Sequence, residues 1–143
     1  MKFDTDNAVV KLCIQGIALE GEGKPGLAAD IFQQAWDQST NDLERFTSAH
    51  YMARHQPGTS DKLAWDQLAL DSALRITTDD IKSVYPSLYL NIAKGYEDLN
   101  HHQEAYKHYS LALSFVDSLP DDGYGRMIKA GVMNGIARTT AHK

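Results

Sequence analysis

The sequence predicts an all-α chain built on a helical repeat, and three observations carry that reading. Two ladders of small residues run along the chain with one period. Gly16, Ala53, Ala93 and Gly131 are 37, 40 and 38 residues apart, and Ala35, Ala73 and Ala112 are 38 and 39 apart. A period of this size marks a supersecondary unit that buries its apolar face by stacking on copies of itself. Apolar residues also recur three and four positions apart, as in Tyr89, Ile92, Ala93, Tyr96 and Leu99, which is one face of a helix. Turn-forming residues interrupt these runs at 21–26, 56–58, 100–102 and 120–125. No stretch alternates with period two for long enough to make a strand.

About seven antiparallel helices follow from this punctuation. The first spans about 7–21, carries Val9, Val10, Leu12, Ile14, Ile17 and Leu19, and stops at Gly21 and Gly23. Cys13 lies among these apolar residues and reads as a small buried hydrophobe. The second, about 25–39, starts at Pro25 and presents Ala28, Phe32 and Ala35. Asn41, Ser60 and Thr78, each followed by an acid, are the expected N-caps of helices at about 41–55, 60–77 and 79–99. Pro86 fits only the first turn of a helix, which moves the start of the fifth towards Tyr85. The sixth, about 102–118, repeats the small–aromatic–small series as Ala105, Tyr109 and Ala112. The seventh, about 123–140, carries Met127, Ala130 and Gly131.

The chain has 143 residues, a length that suits one domain over 1–143. Its net charge of −5 argues against nucleic acid and anionic membrane as partners. One cysteine can form neither an internal disulfide nor a structural zinc site alone. Acids at Asp4 and Asp6 stand where a secretory signal would be apolar, and no apolar run approaches the roughly 20 residues that span a bilayer. The expected compartment is the cytoplasm.

These residues resemble the tetratricopeptide repeat family. Tyr89, Ile92, Ala93, Tyr96, Ala105, Tyr109 and Ala112 stand at the family's spacing, and so do Leu12, Gly16, Leu19, Gly23, Ala28, Phe32 and Ala35. The middle unit is degenerate, with Gln56 in place of the tyrosine and Asp66 in place of the alanine. The period exceeds the family's usual one and is similar to its longer-repeat branch. The resemblance implies a right-handed α-α superhelix, with repeats at about 7–40, 41–77 and 79–118 and a capping helix at about 123–140. Small residues would let paired helices approach closely, while Phe32, Leu70 and Tyr109 would fill the space between pairs. Asp66, at a close-packing position, must tilt outward or meet a cation.

No enzyme signature is present. The Gly-rich segments at 21–26 and 123–125 follow no strand, so Lys24 reads as a turn residue and not as part of a phosphate cradle. Glu104 and His108 share a helix face, but a metal would need ligands from a second helix, and His101, His102 and His108 read as solvated. His50 and His55 share no face. Trp36 and Trp65 are expected to pack in the core or between repeats, the alternative being an exposed anchor for self-association. No catalysis, metal or cofactor is expected.

The resemblance further implies a groove lined by the first helix of each unit. The positions carried over are Val10, Cys13 and Ile17; Thr47, His50, Tyr51 and Arg54; Ser87, Leu90, Asn91 and Lys94; and Arg126, Lys129 and Val132. Of these, Tyr51, Arg54, Leu90, Asn91, Lys94 and Lys129 are the candidate peptide-binding residues. Arg54, Lys94 and Lys129 would form a column of cations suited to an acidic peptide, unless acids such as Glu97 and Asp98 already pair with them. The family's carboxylate clamp is not carried over, because Cys13 and Ile17 replace its polar residues. The expected function is a non-catalytic module that binds a peptide or helix of another protein. The alternative is a homo-oligomeric scaffold that associates through its apolar first helix.

Overall fold

The computed structural model describes residues 3–143, which form seven α-helices and no strand among the described residues. They are α1 (Ala8–Gly21), α2 (Pro25–Gln38), α3 (Asp42–Arg54), α4 (Thr59–Leu74), α5 (Tyr85–Asp98), α6 (His102–Ser114) and α7 (Gly123–Thr139). The chain divides into two compact units, one of residues 3–76 with α1 to α4 and one of Thr77–Lys143 with α5 to α7.

In the N-terminal unit α1 packs on α2 and α3 on α4, while both α1 and α2 touch α3. The α1 start is set by Asn7, whose side-chain oxygen accepts from the Val9 and Val10 amides at 2.8 and 3.0 Å. The same side chain donates to Glu44 on α3 at 2.8 Å, so one residue both caps α1 and ties it to α3. The Thr40 amide donates to the other Glu44 oxygen at 2.9 Å. These bonds, the one from Asn7 foremost, hold the Glu44 carboxyl below its ordinary range. Asn41 caps α3 through the Glu44 amide at 2.9 Å, as the sequence predicts. Ser60 does not cap α4. That helix starts one residue earlier, at Thr59, behind Gly58.

The core of this unit is Val9, Cys13, Ala28, Phe32, Ala35 and Met52. Phe32 is fully buried and lies directly on Gly16, where a Cβ would collide with its ring. It also stacks on Tyr51 of α3 at 5.0 Å and 11°. Trp36 and Trp65 meet edge to face at 4.9 Å, both half-buried, which is the packing role expected of them.

In the C-terminal unit α5 pairs with α6, and α7 packs on both. Thr78 precedes a 3-10 helix, Asp79–Val84, and makes no side-chain cap. The α-helix begins at Tyr85 with Pro86 in its first turn, where the missing amide costs nothing. The sixth helix ends at Ser114, and a 3-10 turn, Val116–Ser118, completes the span expected to be helical. Tyr109 of α6 is fully buried and lies directly on Gly135 of α7. Gly131 of α7 faces the Leu90 side chain, which would lie 3.2 Å from a Cβ at that position.

Two of the three helical hairpins close with the same turn. After α1, Gly23 takes φ of 74°, and the Lys24 amide donates back to the Leu19 carbonyl at 2.9 Å. After α5, Asn100 takes φ of 63°, and the His101 amide donates to the Tyr96 carbonyl at 2.8 Å. Gly and Asn are the residues that tolerate this left-handed position. The middle hairpin, α3 to α4, lacks that turn.

The middle hairpin differs inside as well. Asp66 is buried where the other hairpins carry Ala28 and Ala105, and it meets a cation: Lys62 donates to it at 2.7 Å from one turn earlier. Burial nevertheless pushes the Asp66 carboxyl upward, with Lys62 opposing the shift. Removing the cation alone should be worse than removing the pair. Lys62→Ala is expected to lose about 1–3 kcal/mol, and adding Asp66→Ala to it should recover much of the loss. Urea unfolding of the two variants checks the order, and a double variant weaker than Lys62→Ala would refute it.

Candidate functional site

The face that the sequence assigns to binding contains, in the N-terminal unit, an apolar cleft of about 150 Å³ between α1 and α3. Val10, Cys13, Ile14 and Ile17 form one wall, Thr47 and Tyr51 the other, and Phe3 and Thr5 lie at its edge. Val10 and Cys13 are buried, while Ile14 and Ile17 remain 49% and 41% exposed. Asn7 positions these walls, because it fixes the first turn of α1 against α3. Cys13 is a buried apolar contact as expected, and burial pushes its thiol up to about 11, away from thiolate chemistry.

Tyr51 and Arg54 lie on α3 beside this cleft as one stack. The Arg54 guanidinium sits over the Tyr51 ring at 4.7 Å and donates to Glu20 at 3.0 Å. The second Glu20 oxygen lies 2.8 Å from Nε2 of His55, and the His55 ring is 5.5 Å from Phe32. Glu20 thus already balances the cation that the sequence offers to an acidic ligand.

His50, which the sequence reading places on the groove without a role, has a feature that reading does not foresee. Its Nδ1 is buried without a hydrogen-bond partner, and its ring meets Tyr51 edge-on at 5.2 Å. Burial, with Arg54 and Lys62 adding repulsion, pushes the ring down to about 4. Its neighbours Phe46, Ala49 and Ala53, all buried, were the available signal. The folded value lies below the ordinary 6.5, so the unfolded chain binds the proton first. His50 stabilisation is therefore complete above about 6.5 and falls as pH drops towards 4. The loss over that window is on the order of 3 kcal/mol. His50→Leu should flatten the profile of melting temperature against pH between 6.5 and 4.5, and an unchanged slope would refute the assignment.

The remaining candidates lie in the C-terminal unit. Lys94 of α5 donates to Asp98 at 2.8 Å, the pairing weighed from the sequence. Glu97 does not pair with that column. It binds Arg138 of α7 through two bonds at 2.8 and 3.0 Å and accepts from the Tyr109 hydroxyl at 2.6 Å. The Arg138 bonds, ahead of the others, lower the Glu97 carboxyl to about 2. Leu90 is half-buried against Gly131, and Asn91 is half-buried on the same helix. Lys129 is exposed and lines a hollow of about 270 Å³ with Asp117, Asp121 and Arg126. Ile128 and Val132 of α7 pack inward with Ala112, so Val132 is core and not groove.

The six candidates are therefore divided, with Tyr51 and Arg54 in one unit and Leu90, Asn91, Lys94 and Lys129 in the other. The His108 ring nitrogen lies 2.7 Å from the Glu104 backbone carbonyl. Among the described residues no group of three or more His, Cys, Asp or Glu is placed to hold a metal ion. No helix among them is long and apolar enough to cross a membrane.

Fold and site define an all-helical protein of antiparallel hairpins with an apolar cleft on its first and third helices. No family model, curated protein or solved structure matches the chain.

Proposed function

We propose that the chain is a non-catalytic interaction module of the tetratricopeptide type, which binds a peptide or helix of a partner protein. The observation that carries this reading is the apolar cleft. Five of its lining residues, Val10, Cys13, Ile17, Thr47 and Tyr51, are positions that the repeat register assigns to the binding face. The interlock of Phe32 with Gly16 supports the register, because it joins an aromatic and a small residue at the family's spacing. The two matching hairpin turns support it independently. Apolar contact supplies affinity in such a site, and nearby polar groups orient the chain that enters.

A display library of random peptides, panned against the full chain, tests this. Selected peptides should share apolar anchors and lose binding to Ile17→Glu, a change at an exposed position that leaves the core intact. Selections that yield no peptide, or peptides indifferent to Ile17→Glu, would refute the reading. The exposed Ile14 and Ile17 favour a second reading, a homo-oligomer joined through α1. A mass in solution that rises with concentration and falls back in Ile17→Glu would establish it instead.

A further inference from the structure

We infer that the partner segment is basic and amphipathic, seating one apolar side chain in the α1–α3 cleft with Lys or Arg on either side of it. This rests on the interaction-module reading and narrows it to one class of ligand.

The size of the cleft limits what enters. A space of about 150 Å³ suits a benzene-sized group in other apolar cavities, which corresponds to one Leu, Met or Phe side chain and not to a whole helix face. Its walls carry no charged side chain; the polar groups among them are hydroxyls of Thr5, Thr47 and Tyr51. The entering side chain is therefore apolar, and charge acts only at the rim.

The rim and the unit around it are acidic. Residues 3–76 hold eleven Asp and Glu against six Lys and Arg. Four of those six bases are tied to acids of the same unit: Arg45 and Arg75 to Asp42, Arg54 to Glu20, and Lys62 to Asp66. Asp4 and Asp6 are exposed on either side of Thr5, at the edge of the cleft. Lys11 is the single base within α1, next to Val10, so among the described residues Asp4 and Asp6 outnumber it. An acidic peptide would meet repulsion here, whereas a basic one would be drawn in and held in register. The cations read from the sequence, Arg54, Lys94 and Lys129, pointed to the opposite charge; of these Arg54 is paired with Glu20 and Lys94 with Asp98.

Three fluorescein-labelled peptides test the inference on the full chain. One has a central Leu flanked by Lys and Arg, the second has the same Leu flanked by Glu, and the third is the basic peptide with Leu replaced by Ser. The basic Leu peptide should bind about tenfold tighter than the acidic one at low salt, and added salt should narrow the gap. The Ser peptide should lose binding, and amide signals of Val10, Ile17 and Thr47 should shift only with the Leu peptides. Asp4→Asn with Asp6→Asn should weaken the basic peptide several-fold while circular dichroism stays unchanged. An acidic peptide that binds as well, with the same signals shifting, would overturn the charge inference and leave the module reading standing. Failure of both Leu peptides, while display-selected peptides still require Ile17, would overturn the inference alone. A mass increase with concentration that Ile17→Glu abolishes would place a second copy in the cleft and overturn it too.

Discussion

Tyr109→Ala is expected to lose about 3–5 kcal/mol of stability, the range for deleting a fully buried aromatic ring. The ring has no exposure and fills the space against Gly135 of α7 beside Ala93 and Ala105. Because Gly135 carries no side chain, α7 has nothing to extend into the vacated space. Tyr109→Phe separates the ring from its hydroxyl. It keeps the packing and removes the bond to Glu97 at 2.6 Å and the contact with Arg138 at 3.2 Å, for a loss of about 1–3 kcal/mol. Urea unfolding followed by circular dichroism ranks the three proteins. Equal losses for the two variants would mean that the hydroxyl network, and not the ring, holds α7 in place. Acid offers a second check on the network. Glu97 is depressed to about 2 from an ordinary 4.5, so its contribution is complete above 4.5 and lost as pH falls towards 2. Glu97→Gln should remove that part of the acid sensitivity.

Phe32→Ala is expected to be as costly in the N-terminal unit, again about 3–5 kcal/mol. Its partner gives the sharper test. Gly16→Ala alone improves intrinsic helix propensity by roughly 1 kcal/mol. The new methyl, however, collides with a ring that Tyr51 and His55 hold from the other side. Overpacking of this kind costs about 1–3 kcal/mol, so the variant should be destabilised on balance. With Phe32 already shortened to Ala the collision is gone, and Gly16→Ala should then stabilise. A change of sign between the two backgrounds is the expected coupling. Trp36 and Trp65 report on it by fluorescence, since both pack against this core. Additive effects would mean that the ring moves freely away from Gly16.

Helix positions were legible because turn residues and small-residue spacing are local signals. The predicted second helix, 25–39, is α2 at Pro25–Gln38, and the predicted third, 41–55, is α3 at Asp42–Arg54. Pro86 forecast the late start of α5, since its ring excludes any but the first turn. The side-chain partners were legible only within a helix. Lys62 with Asp66 and Lys94 with Asp98 are four residues apart and follow from helix geometry. Glu20 meets Arg54 across 34 residues and Glu97 meets Arg138 across 41, distances over which no periodicity speaks. The Glu20 partner of Arg54 was out of reach of the sequence for that reason. The fate of His50 was hidden similarly, because burial of one nitrogen depends on how α3 is covered by its neighbours.

The hairpin turns bear on speed as well as on form. In each of the three helix pairs the two helices are joined by a connection of three or four residues, at 22–24, 55–58 and 99–101. Closing so short a loop forfeits little chain entropy, and most pairing partners are close in sequence. Chains of such low contact order collapse to their native state within about microseconds to milliseconds. Rapid-mixing refolding should therefore be nearly complete within the dead time of a stopped-flow instrument. The turn that sets Gly23 and Asn100 in a left-handed conformation is then expected to act as a kinetic element, since it joins the ends of two helices without needing any distant contact.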